Sequence, residues 1–126
     1  MTTAHPIEGQ IVLLAGARAS VTLERLSAIL PRAQRAVRDR HGEYARQFER
    51  IDGRDGIAYY LADPDHWATV GERLGFSDRE ADAVARTHAA QFRRDGRRSG
   101  RLAEFESALE LREVVAVDRE KTADSG

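Results

Sequence analysis

Ser77-Asp78-Arg79-Glu80, followed at helical spacing by Ala81, Val84, Ala85, His88 and Phe92, is the stretch from which the fold of this chain can be built outward. Serine and glutamate three residues apart form a capping box, in which each side chain satisfies a backbone N–H of the other's residue, so a helix begins at this point. Upstream, Gly75 ends a preceding helix with Trp67, Val70 and Leu74 inward. Asp63-Pro64 opens that helix as an N-cap followed by proline in the first turn. Downstream, Arg93-Arg94-Asp95-Gly96-Arg97-Arg98-Ser99-Gly100 reads as a break, and Leu102, Phe105, Ala108 and Leu109 mark a last helix.

Toward the N-terminus, Thr22 can cap a helix bearing Leu23, Leu26, Ile29 and Leu30, and Pro31 fits the first position of another. Leu30, Ala33, Val37, His41, Tyr44, Phe48 and Ile51 advance by alternating threes and fours, the seam of a long helix that Gly42 can bend. A stripe wider than the monomer covers would pair with a second copy, whereas ordinary packing inside one chain is the simpler expectation. The earlier run over residues 7–18 fits a helix better than a strand, although Val12 and Leu13 fill both sides.

Two segments read as strands. Ile51-Asp52-Gly53-Arg54-Asp55-Gly56 reads as a turn into Ile57-Ala58-Tyr59-Tyr60-Leu61, and Val114-Val115-Ala116-Val117 follows the last helix. A lone strand would leave its backbone groups unpaired, so residues 57–61 are paired with 113–117. The expected fold is mainly α: a compact bundle of five to six helices with this small two-stranded β element. Residues 1–117 form one domain, and 118–126 form a flexible acidic tail.

The 126 residues include no cysteine, which excludes a disulfide framework, a thiolate nucleophile and thiolate metal sites. The longest apolar stretch, Ile11 to Ala17, is far short of the roughly 20 residues needed to span a bilayer, and the first residues lack the pattern of a secretory signal. A cytoplasmic protein without membrane contact is expected. Net charge is −1, yet the charge is uneven: residues 93–101 carry five arginines against Asp95, and residues 102–126 carry seven acids against three basic residues.

That arginine group, Arg93, Arg94, Arg97, Arg98 and Arg101, is the candidate site for an anion or a partner. Guanidinium forks bind oxyanions in pairs, and the two glycines make the segment read as a basic loop. No aromatic lies among the arginines to stack a base. The segment Val70 to Ser77, running into the capped helix, has the small residue and the bend of a helix-turn-helix. Its would-be recognition helix, however, begins with Asp78, Glu80 and Asp82 against Arg79, which disfavours phosphate.

Other chemistries lack support. Ala15-Gly16-Ala17-Arg18-Ala19-Ser20 has no phosphate-loop lysine, and no serine stands in a nucleophile motif. His41 and His88 lie on apolar faces as core histidines rather than metal ligands. Asp63, Asp65 and His66 suit helix capping, and the carboxylates fall on polar faces or turns where no pKa is raised. Neither catalysis, nor a cofactor, nor a metal is expected.

His5-Pro6-Ile7-Glu8-Gly9, Asp65-His66-Trp67, Leu74-Gly75-Phe76-Ser77, Gln91-Phe92-Arg93 and Ala108-Leu109-Glu110-Leu111-Arg112-Glu113-Val114-Val115 together resemble a family of small haloarchaeal proteins of unknown function. The resemblance covers nearly the whole chain. It implies a compact helical cytoplasmic domain and brings no activity with it, while the near-neutral charge departs from the acidic excess of proteins from salt-saturated cytoplasm. The function expected is a non-catalytic protein-interaction or regulatory module with a protein partner or self-association. The alternative is a nucleic-acid-binding domain of winged helix-turn-helix type, with the strand pair as wing.

Overall fold

A computed structural model describes residues 7–12, 20–53 and 56–118. After a helical turn over residues 9–12 come α1 (Leu23–Asp39), α2 (His41–Gln47), β1 (Glu49–Asp52), β2 (Ile57–Ala62), α3 (His66–Leu74), α4 (Asp78–Ser99), α5 (Leu102–Leu109) and β3 (Glu113–Asp118). The strands form one antiparallel sheet in the order β1-β2-β3.

The expected pairing is present, with Tyr59 opposite Ala116 and Leu61 opposite Val114. The sheet nevertheless has a third strand. Residues 49–52, read from sequence as the end of a long helix, pair with β2 instead, Ile51 lying opposite Tyr59. The apolar period of three and four carries Tyr44 and Ile51 into the core from two different elements. Buried Leu30, Ala33, Val37, Tyr44 and Ile51 all join the chain's own core, so these residues of the stripe are covered internally.

Where two helices were expected to meet at Pro31, one helix runs from Leu23 to Asp39. Proline removes one backbone donor from the interior of α1, at a cost of about 3 kcal/mol. Burial of Leu26, Ile29, Leu30, Ala33 and Val37 along one side offsets that cost. The real break falls at Arg40, with Gly42 already inside α2. The helix expected at Asp63-Pro64 starts at His66, because Asp63 makes a turn in which its carbonyl accepts from the His66 N–H.

Three features of the central helices match their sequence signals. Ser77 and Glu80 form the capping box, Gly75 ends α3 with φ 79°, and Thr22 caps α1 by accepting from the Arg25 N–H. The expected break over residues 93–100 is absent, and α4 continues to Ser99 before Gly100 ends it at φ 73°. Gly96 serves contact rather than flexibility: a Cβ there would stand 2.9 Å from the Phe105 ring and 3.2 Å from the Leu102 Cα. Its bare backbone lets α5 press against α4, where the Phe92 and Phe105 rings stack at 4.1 Å.

Residues 58–62 of β2 and 114–118 of β3 are buried on both faces. Alternation turns Tyr59 toward α4, against Phe92, and Tyr60 toward α2, against His41 and Tyr44. Asp118, expected to begin a loose tail, is the last residue of β3 and is buried. The remaining tail, 119–126, lies outside the described residues, as do 13–18 of the first apolar run; residues 9–12 of that run are helical. No helix among the described residues is long and apolar enough to cross a membrane.

Candidate functional site

The outward edge of β3 is buried, and helix side chains satisfy it instead of a fourth strand. The Trp67 indole N–H donates to the Val114 carbonyl at 3.1 Å, and the Ala116 N–H donates to His88 Nδ1 at 3.0 Å. The Gln34 carboxamide bridges two residues of the strand, donating to the Ala116 carbonyl at 2.9 Å and accepting from the Asp118 N–H at 3.2 Å. A carboxamide carries one donor and one acceptor just as a peptide does, so Gln34 stands in for the missing neighbour strand. The core reading of His88 is thereby explained.

His41 is likewise held structurally, its Nε2 lying 2.7 Å from the Tyr60 hydroxyl; burial, then Arg50, lowers its pKa. The two histidines have different partners, and among the described residues no three His, Asp or Glu side chains gather as a metal site. His66 Nε2 lies 2.5 Å from the Tyr44 hydroxyl. Burial brings the His66 pKa down to about 4 and pushes Tyr44 up to about 12, so both are neutral at pH 7.

Besides buried Asp118, Asp95 and Glu113 depart from the expectation that the carboxylates lie on polar faces or turns. Asp95 is buried within α4 and accepts from the Tyr59 hydroxyl. Burial, followed by that acceptor, raises the Tyr59 pKa and keeps the phenol protonated. Half-buried Glu113 is raised by burial, while its Oε1 accepts from the Trp67 N–H at 2.6 Å. Glu113 thereby caps the start of α3, for which Asp65 makes no side-chain cap. Sequence spacing gives no sign of a cap that arrives from 46 residues away.

The five candidate arginines sit on helical turns and at the α4–α5 corner, where helix geometry divides them. Arg94 and Arg98 turn toward the N-terminal segment and pair with Glu8 at 3.1 and 2.9 Å. Gln91 completes this clasp, accepting from the Glu8 N–H and donating to its carboxylate, both at 2.9 Å. The Gln91 amide first, then Arg98 and Arg94, hold the Glu8 pKa down against burial. Arg101 pairs with Glu104 at 2.8 Å and lies over the Phe105 ring. Arg93 and Arg97 alone of the five line a groove of about 520 Å3.

That groove is the candidate site. Ile11, Ala85, Ala89, Ala90, Leu109 and Val114 supply its apolar lining, Arg86, Arg93, Arg97 and Arg112 its positive charge, and Glu113 a carboxylate at one side. Arg86, Ala89, Ala90, Arg93 and Arg97 occupy one side of α4 because their spacings are those of successive helical turns. Among the described residues these guanidiniums are engaged to different degrees. Arg86 uses Nε on Asp82 at 2.7 Å, Arg93 is 3.8 Å from Glu106, and Arg112 donates to the Leu61 carbonyl at 3.3 Å. Arg97 makes no ion pair among the described residues. The basic cluster is legible in the sequence, whereas the floor is not, because Leu109 and Val114 reach it from other elements.

The corner between α3 and α4 does have the close crossing expected of a helix-turn-helix, since a Cβ on Gly71 would stand 2.8 Å from that of Ala81. Much of α4 is nevertheless committed to the interior, with Ala81, Ala83, Val84, Thr87, His88, Gln91, Phe92, Asp95 and Gly96 buried. At its start Glu80 pairs with Arg25 at 2.6 Å.

The architecture is thus a helical domain on a small antiparallel sheet with an arginine-lined groove beside its central helix. The chain belongs to the DUF8048 family, a domain of unknown function, whose family model matches residues 5–119. This agrees with the uncharacterised family that the sequence resembles, and carries no information about the source. No curated protein and no solved structure matches the chain.

Proposed function

We propose that the protein is a non-catalytic interaction module that docks an acidic, partly apolar segment of a partner protein in the groove along α4. The observation carrying this reading is the combination of four guanidiniums with an apolar floor. Arginine binds carboxylates through a planar fork, and an alanine and leucine floor rewards burial of apolar side chains. A merely solvated basic face would need no floor, and a nonspecific polyanion site would gain nothing from one. A cytoplasmic setting, as expected from sequence, is part of this reading.

A nucleic-acid reading draws on the close α3–α4 corner and the same arginines. Acidic Asp78, Glu80 and Asp82 on the leading turns of α4 weigh against it. One titration separates the two. Fluorescence anisotropy is read with a labelled peptide rich in Glu and Leu, the same peptide with Lys for Glu, and a generic DNA duplex, against wild type and Arg93→Glu/Arg97→Glu. The reading expects binding of the acidic peptide alone and a loss of about tenfold or more in the double variant. Duplex binding with a steep salt dependence, and none of the acidic peptide, would replace it with the nucleic-acid function.

A further inference from the structure

Resting on that reading and going beyond it, we infer that the occupant of the groove is an amphipathic α-helix, with its apolar face on the alanine floor and its acidic residues meeting Arg86, Arg93 and Arg97. The spacing of those arginines points to a helix. Separated by seven and four residues on α4, they stand about 10.5 and 6 Å apart along its axis at 1.5 Å per residue. Acidic residues of a second helix lying along α4 repeat at the same intervals when placed four and seven apart. An extended segment presents one side of its chain about every 6.8 Å, which suits the shorter interval and misses the longer one by about 3 Å.

The groove also denies an extended segment its usual source of affinity. Strand addition depends on backbone groups at a sheet edge. Val114 brings β3 to the groove, but its carbonyl already accepts from Trp67, and the next outward groups, at Ala116 and Asp118, are taken by His88 and Gln34. An occupant must satisfy its own backbone, as a helix does. Ala85, Ala89 and Ala90 add the room it needs, since methyl side chains let two helix axes approach to about 8 Å.

The test uses three synthetic 16-residue peptides with the intact protein. The first carries Glu at positions j, j+4, j+7 and j+11 with Leu between these turns, and a lactam staple on the outer face. The second differs from it in a central proline in place of an outer alanine and in lacking the staple, and the third keeps the staple but moves the glutamates to the far face. Binding is measured by anisotropy for wild type and Arg97→Glu, with thermal unfolding checking that the variant stays folded. The inference expects the first peptide to bind at least about tenfold tighter than the other two, and to lose about tenfold or more on Arg97→Glu. Equal binding of the first two would overturn the helical occupant while leaving an acidic partner in place. Binding by none of them, or binding indifferent to Arg97→Glu, would overturn the reading of the groove itself.

Discussion

Two polar stripes run side by side along α4, and they differ in how they are engaged. On the inner one, Thr87 donates to the Ala83 carbonyl, His88 accepts from Ala116, Gln91 clasps Glu8 and Asp95 accepts from Tyr59. On the outer one, Arg86, Arg93 and Arg97 face a groove and are held only at an edge of the guanidinium or not at all among the described residues. A buried polar group without a partner is costly, so the inner stripe must be satisfied for the chain to fold. An exposed guanidinium is hydrated in either case. The outer stripe can therefore change with little effect on stability, and function can be assigned to it without conflict.

The comparison predicts a graded set of outcomes. The largest effect belongs to Trp67→Ala, which removes a buried ring together with the donor to the Val114 carbonyl; a loss of about 4 kcal/mol is expected in urea denaturation. Tyr59→Phe leaves Asp95 buried without its donor and should cost about 3 kcal/mol; an unchanged midpoint would show that Asp95 does not depend on the phenol.

The pH dependence comes next. The folded His66 titrates near 4 and an unfolded histidine near 6.5, so between those values the unfolded chain binds more protons. The contribution is complete above pH 6.5 and is lost as pH falls toward 4, on the order of 3 kcal/mol for a shift of this size. Denaturation midpoints at pH 7 and pH 4.5 measure it, and His66→Phe should flatten the difference. Gln34→Leu should cost about 2 kcal/mol by stranding the Ala116 carbonyl and the Asp118 N–H, read as a lowered midpoint. Smallest of all, Arg93→Ala/Arg97→Ala should leave stability within about 0.5 kcal/mol of wild type.

What the sequence revealed follows the range of the interactions involved. Ser77 with Glu80, Gly75 as a helix end and the pairing of 57–61 with 113–117 were legible because local chemistry or the demand for strand partners dictates them. Pro31 and Gly96 misled for the same reason: local propensity argued for breaks, whereas burial along α1 and the press of Phe105 on α4 keep those helices continuous. β1 was hidden because Tyr44 and Ile51 keep helical spacing across a change of element. The arginine cluster was visible, but its division among Glu8, Glu104 and the groove depends on α4 being helical through Ser99.

The division of α4 into a folding stripe and a binding stripe is tested most directly by urea denaturation of Arg93→Ala/Arg97→Ala beside His88→Leu, both against wild type. The expected result is a wild-type midpoint for the arginine pair and a loss of about 2–3 kcal/mol for His88→Leu, whose removal strands the Ala116 N–H. Equal losses in the two variants would contradict the account, because the arginines would then belong to the fold.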